Sequence, residues 1–480
     1  MIPLLLILLP LAGALLAAAA PSDRTRPWFL PAVGVSHTGL SLHLLLHPPV
    51  VADGAWLGFD AVARAVLPVV SVLFLLCSLY GVPYLRARSE RPNRVFVATL
   101  LAVIGLISAG LMARHLGVLW IATEGVTLAA VPLLHFNRTP RAFEATWKYL
   151  LVGGTGIALS LLGSFCLGYA SLYGHGSGDL TFHALTAAGT DLSRPWLLIA
   201  WVLLLAGYGT KMGLAPMHTW KPDAYGEAPG LVGAILAGGV TTVAFVALLR
   251  VRSVLGAAGE GAVADLTLLC LGLFSLGVAA LYLLGTRDFK RMLAYSSVEH
   301  MGILSLAAAL GPAGIGAALF HVWTNSLTKG SLFLSAGNLR RSAGTASMDD
   351  VRGLSESAPR STALFVAGLF AVTACPPFGI FFSELRILRA AMDGGHGFTA
   401  GAFLLGLLFA FFGLTRVVLG VAYGPPRRRP PTAGPRFVET AGVILPPLVL
   451  LGFSAWLGLS PPPLLEQIWS AAVTQLTSTP

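Results

Sequence analysis

Charge is what this 480-residue sequence has least of. Asp, Glu, Lys and Arg make up 11% of it against 55% hydrophobic residues, with a mean hydropathy of +0.78; a soluble domain carries nearer a quarter charged residues. That scarcity excludes an ordinary soluble protein and leaves an all-α polytopic membrane protein. Cysteine is equally sparse. Cys77, Cys166, Cys270 and Cys375 all fall in apolar stretches without CxxC or metal-like spacing, so neither a disulfide framework nor an iron–sulfur site is indicated. Acidic residues are few, 21 against 31 basic ones, but the basic residues lie in short loops between apolar runs, where they report topology and not a nucleic-acid surface. No cofactor and no metal is expected in this chain; any redox centre must sit in another subunit.

What the sequence has in abundance is long apolar runs. The first, 2–20, ends in AAAAPS like a signal peptide, yet lacks a basic leader and is long enough to cross a bilayer, so a retained first helix is expected. A weaker run at about 28–46 precedes HPPVVADGAWLGFD, expected as a short extramembrane hairpin. Further runs at about 66–85, 95–113, 116–134, 147–169, 196–215, 231–249, 264–284, 294–310, 315–336, 363–382, 398–421 and 441–459 bring the total to about fourteen. The tail beyond 460 is too short and polar for another span, apart from an interfacial turn around Ile468 and Trp469.

Going round the loops, one side collects about 21 basic residues, including Arg24, those of 86–94, 138–148, 287–291, 340–360 and 427–436, and Lys221; the other collects about 7. The basic side is expected to be cytoplasmic, with both termini on the periplasmic side of a bacterial inner membrane.

Two spans are interrupted. In LLLAGYGTKMGLAPMHTWKPDAYGEAP, Gly209, Gly213 and Pro216 weaken a helix beside Lys211; roughly 160 residues later Pro376, Pro377 and Gly379 do the same in TACPPFGIFFSE, followed by Glu384. Paired interrupted helices point to an inverted-repeat transporter fold. The expected organisation is 1–94 as three N-terminal helices with the hairpin, 95–250 and 263–424 as two inverted five-helix repeats, and 440–480 as the last helix and tail.

Charges inside apolar spans are costly, about 2.5–3.5 kcal/mol each at mid-helix, and mark function. Glu124 lies mid-span with Lys211 as its expected partner. Lys329 has Asn325 four and His321 eight residues before it on approximately one helix face, a row suited to a water-linked relay. Glu384 either exchanges protons with one side of the membrane or pairs with Arg386 or Arg389. His218 could bridge the helix break, or Lys211 and Lys329, through water. Glu299 and His300, at the expected start of a span, either cap it, bond a neighbour or join the relay. Glu144 and Lys148 read as interfacial anchors.

With KYLLVGG at Lys148, KMGLAPMHTWKPDAYGEAP at Lys211, RDFKRMLAYSSVEHMG at Arg287, HVWTNSLTKGSLFLSAG at His321 and PPFGIFFSE at Pro376, the chain resembles the antiporter-like membrane subunits of respiratory complex I, membrane-bound hydrogenases and Mrp-type antiporters. The SSVEHMG wording is most similar to the F-type subunit of hydrogenase-4 and formate hydrogenlyase relatives. The resemblance implies a proton-translocating, non-redox subunit working with other antiporter-like membrane subunits and a soluble redox module, whose iron–sulfur, nickel or quinone centres lie in those partners. It implies Glu124 and Lys211 as the coupled pair, Lys329 as the central relay and Glu384 as the terminal group. Where many relatives carry a further lysine in the span after the first break, this chain has Thr241 and Thr242, so the link from Lys211 to Lys329 is expected to use water, hydroxyls and His218. The long C-terminal lateral helix of the distal complex I subunit is expected to be missing. Two rival functions use the same residues: a Na⁺/H⁺ antiporter, alone or of Mrp type, and the proton channel of a proton-driven inorganic carbon uptake complex.

Overall fold

The computed structural model describes residues 2–174, 176–423 and 437–478; the basic run at 427–436 lies outside them. In chain order the helices are α1 (Leu5–Ala19), α2 (Phe29–Leu46), α3 (Ala61–Arg86), α4 (Arg94–Met112), α5 (Leu116–Leu134), α6 (Pro140–Tyr173), α7 (Phe182–Ala188), α8 (Arg194–Met212), α9 (Trp220–Glu227), α10 (Gly230–Ile235), α11 (Thr241–Ala257), α12 (Gly261–Gly285), α13 (Phe289–Ala308), α14 (Gly311–Ala343), α15 (Leu354–Ser357), α16 (Pro359–Val372), α17 (Gly379–Asp393), α18 (Gly397–Tyr423), α19 (Ala441–Leu459) and α20 (Pro463–Thr477). Several starts are fixed by local chemistry. Asp60 accepts from the Ala63 N–H, Thr139 from Ala142 with Pro140 in the first turn, and Asp288 from Lys290 and Arg291.

Among the described residues eleven helices are long and apolar enough to cross a membrane. α13 and α14 match them in length but are too polar for that description, and they are buried along most of their length. They hold their polar groups against protein, with α12, α17 and α19 packed round them. The span Gly230–Ala257 contains a π-helical turn, Leu236–Val240, and is also enclosed on all sides. The wider register of the π turn leaves the Gly238 carbonyl to accept from Thr242 at 2.9 Å and from Ser326 of α14 at 3.1 Å.

The two interruptions share one backbone design. The first, between α8 and α9, has Gly213 at φ 79° and a cis Ala215–Pro216 bond; the second, between α16 and α17, has Ala374 at φ 53° and a cis Pro376–Pro377 bond. In each, the left-handed residue stands three positions before the cis proline. Their fillings differ. The first break opens onto lysine side chains, whereas the second is filled by close backbone approach, Gly458 of α19 lying against the Pro377 carbonyl.

Three expectations change. The 47–60 stretch does not form a hairpin on itself: Gly58 N–H donates to Met112 O and Arg114 N–H to Trp56 O, both at 2.9 Å, so it pairs with the α4–α5 connection. The tail beyond 460 forms a full fifteen-residue helix, α20, with Leu465, Ile468, Trp469, Ala472 and Leu476 buried. Its polar side chains reach Arg386 of α17 through Glu466 and Asp60 through Gln475, so it runs across the bundle from α17 to α3. Lys221, counted above among basic loop residues, is fully buried.

The remaining basic loops do gather. Arg26 bonds Asn93, Arg88 bonds Asn137, Asn137 bonds the Glu227 carbonyl, and Arg340 pairs with Glu227. These define a basic face of the bundle. On the opposite face Asp60, Arg250, Leu111 and Gln475 are joined in one network.

Candidate functional site

Four of the five lysines are buried, Lys211, Lys221, Lys290 and Lys329, and only Lys148 reaches the surface. Lys148 pairs with Glu144 at 2.6 Å and Asp223 at 2.8 Å.

Lys211 ends α8. Its ammonium lies 5.0 Å over the Tyr149 ring and makes no hydrogen bond within the chain. It occupies space left by Gly153 of α6, where a Cβ would stand 2.7 Å from Nζ and 3.7 Å from Thr127 Cγ2. Glu124 stands one turn before Thr127 on α5. It is half-buried, acts electrostatically on Lys211 and leaves Oε2 without a partner. The two expected partners are therefore near one another but not in contact, with no salt bridge within 4.0 Å. Such a pair responds to small displacements or to water entering between the groups.

Lys329 is the mid-point of α14. Its Nζ donates to Ser296 Oγ at 2.6 Å, and Ser296 lies one turn before Glu299 on α13. Glu299, 2% exposed, leaves Oε2 unpartnered beside the Lys329 charge. Capping is excluded for Glu299 and His300, because α13 starts at Phe289 under the Asp288 cap and carries both residues at its centre. His300 Nδ1 and His321 Nε2 share a hydrogen bond of 3.0 Å, and His321 Nδ1 meets Ser383 Oγ at 2.8 Å. Glu384 follows Ser383, is buried, and leaves both carboxylate oxygens without a partner. Its expected arginine partners are engaged elsewhere: Arg386 pairs with Glu466 at 2.7 Å and Arg389 with Asp393 at 3.4 Å. Asn325, one turn from both His321 and Lys329, leaves Oδ1 free.

One ligand atom each from His300, His321 and Glu384 lies within 4.8 Å of the others. A cation held there would have to displace a hydrogen bond from His321, since both its ring nitrogens are engaged.

Thr242 gives its hydroxyl to the Gly238 carbonyl of its own helix, as Thr241 does to Ala237 at 2.7 Å. The His218 ring faces Tyr282 and Tyr295, with centroids 6.2 and 6.3 Å away, and leaves Nδ1 unpartnered. Those tyrosines line a cavity of about 630 Å³ on the basic face, with Glu144, Asp223, Arg287 and Arg291. At the other end, Arg386, Arg389, Glu466 and Trp469 line a second cavity of about 500 Å³.

The residue missed by the sequence reading is Lys221. It lies beside a Pro-Asp pair that reads as a turn, which hid it. The available signal was lysine usage: only five of the 31 Lys and Arg residues are lysines, so the solvated loops are written almost wholly in arginine.

The family model described as NADH:quinone oxidoreductase/Mrp antiporter, TM, matches residues 113–410. The hydrogenase-4 component F homolog of Methylacidiphilum infernorum is 32% identical over 474 residues, covering 93% of this chain and 97% of that one. The NADH-quinone oxidoreductase subunit N of Desulforudis audaxviator is 32% identical over 83% of this chain and 80% of its own. A chain of the membrane-bound sulfane sulfur reductase, an archaeal respiratory membrane complex, superposes with a TM-score of 0.88 at 22% identity, over 99% of this chain and 98% of the other. The last is a likeness of fold.

Proposed function

The chain belongs to the NADH:quinone oxidoreductase/Mrp antiporter transmembrane family, and we propose that it carries protons across the membrane as one antiporter-like subunit of a larger complex. The observation that carries this reading is the row of buried polar groups running from Glu124 on α5, through Lys211 and Lys329, to Glu384 on α17, with polar atoms left unpartnered along it. A structural network is selected to satisfy such atoms; a path that water and protons must occupy is not.

In this reading the basic face is cytoplasmic, both termini are periplasmic, and protons enter by the cavity beside His218 and leave by the one beside Arg386. The bundle works as about fourteen spans in two inverted repeats, each contributing one of the two breaks. A change of charge near half-buried Glu124 alters its hold on Lys211. Unit charges about 6 Å apart at an effective dielectric of about 20 still interact by roughly 3 kcal/mol, enough to redistribute a proton between neighbouring groups. The driving reaction resides in redox subunits of hydrogenase or quinone-oxidoreductase type that hold the iron–sulfur, nickel or quinone centres.

The test has two parts. Purifying the tagged chain in mild detergent and identifying its partners by mass spectrometry should recover iron–sulfur and hydrogenase-like or quinone-oxidoreductase subunits; recovery alone, or with a soluble carbon-handling protein, moves the assignment to an antiporter or an uptake machine. The captured complex, reconstituted in vesicles and driven by a potassium diffusion potential, should pass protons, and Lys329→Met should stop it. Native flux in that variant removes the relay.

A further inference from the structure

We propose that Lys221 is the proton-carrying link between Lys211 and Lys329, an inference that rests on the proton path above. Lys221 is the second residue of α9 and fully buried. Its Nζ donates to the Met212 carbonyl at 2.8 Å and to the Ser297 carbonyl at 3.4 Å, and sits 5.6 Å over the Tyr225 ring. Met212 is the neighbour of Lys211 in the chain; Ser297 is the neighbour of Ser296, whose hydroxyl holds Lys329. One ammonium thus touches the residue next to Lys211 in the chain and the residue next to Ser296, the side chain that holds Lys329.

The first break is shaped around it. At Gly213 a Cβ would lie 2.6 Å from Lys221 Cδ and 3.0 Å from Nζ, and the φ of 79° is one that glycine adopts freely. Of the other groups proposed for this gap, Thr241 and Thr242 donate their hydroxyls to their own helix, and the His218 ring faces Tyr282 and Tyr295 with Nδ1 unpartnered. The titratable groups around Lys221 are His218 from the break, His300 from α13 and Lys329 from α14, each of which feels or exerts its charge. No carboxylate lies within 4.0 Å of Nζ. A lysine held only by carbonyls keeps them as acceptors when charged and can give up a proton without breaking an ion pair. In each hop an N–H bond breaks on the donor lysine and forms on the neutral amine that receives it, directly or through water, and the positive charge moves with the proton.

A capping role would use the same contacts, since Met212 ends α8 and cations favour helix C-termini. Lys290 shows what capping alone looks like: it donates to the Gly226 and Ala228 carbonyls at the end of α9, beside Arg340. The experiment compares Lys221→Met, Lys221→Arg and Lys221→His in the captured complex, reconstituted in vesicles, with proton flux followed as a function of pH. Arginine keeps the cation and its donors but does not release a proton. Lys221→Met and Lys221→Arg should each lower flux at least about tenfold with the complex intact. Lys221→His should retain part of the flux, with its pH profile moved to lower pH, because imidazole titrates near neutrality. Native flux in Lys221→Arg, or a His variant whose profile keeps the native midpoint, overturns the proposal and leaves capping. Lys329→Met run alongside separates the two levels: if it is blocked while Lys221→Met conducts normally, only the Lys221 link fails; if it too conducts, the path itself fails.

Discussion

The interior axis and the anchor on the opposite face bury charge in two different ways. At the anchor, Arg250 of α11 forms a bidentate pair with Asp60 at 2.7 and 3.0 Å, both side chains nearly inaccessible, while Gln475 and the Ala63 N–H complete the carboxylate; only Arg250 Nε is left over. Along the axis, Lys211 Nζ, Glu124 Oε2, Glu299 Oε2, His300 Nε2 and both oxygens of Glu384 have no partner among the described residues. Where charge serves cohesion it is saturated. Along the proposed proton path it is left without partners, at a cost in stability.

The sharpest way to break this contrast is to remove one charge from each region. Lys329→Met should lower proton flux by about 100-fold or more, while its unfolding midpoint in detergent stays level or rises, because a buried cation is replaced by an apolar chain of similar length. Asp60→Asn should do the reverse. It leaves Arg250 buried without its counter-charge, costs about 3 kcal/mol in thermal or denaturant unfolding, and leaves flux per folded complex near native.

Acid adds a second test of the anchor. Burial alone would raise the Asp60 carboxyl, but the Arg250 charge and hydrogen bonds from Arg250, Ala63 and Gln475 outweigh it and hold the group below its ordinary range. A carboxyl lowered on folding contributes stability that is fully present above its unfolded value near 3.9, and that is lost as pH falls below it through the folded value. Melts at pH 6 and pH 3 should therefore differ more in the native chain than in Asp60→Asn.

Smaller effects sharpen the far end of the axis. Glu384→Gln should reduce flux about tenfold or more, whereas Arg386→Ala, which breaks a half-exposed pair with Glu466 and a cation–π contact with Phe320, should change stability by about 1 kcal/mol and flux little. Smallest of all, Ala374→Gly relieves a left-handed alanine and should raise stability by at most about 1 kcal/mol, seen as a slight rise in the melting midpoint.

Legibility in the sequence follows the same physics. Lys211, Lys329 and Glu384 stood out because each interrupts an apolar run, and both breaks were marked by proline and glycine. Glu299 and His300 were misplaced at a helix start because Lys290, Arg291 and Tyr295 disguise the first turns of α13, which begins earlier than hydropathy suggests. Lys221 was invisible in a polar, Pro-containing stretch, since hydropathy cannot tell a loop from a short helix folded back into the bundle. The interruption of α10–α11 by a π turn leaves no compositional trace in an apolar LAGGV run. Which hydroxyls are spent on their own helix is equally unreadable without coordinates.

The enclosed span Gly230–Ala257 carries a consequence for how the molecule is made. It is apolar enough to enter a bilayer by itself, yet ends surrounded by protein; α13 and α14, which flank it, are too polar to rest comfortably in lipid. A helix that inserts readily meets lipid first and is covered afterwards, while polar helices need a prepared partner. Biogenesis thus acquires an order, in which Gly230–Ala257 waits in the membrane as the template on which α14 and then the second break close, and the buried polar axis is assembled only once α17, which carries Glu384, has joined it.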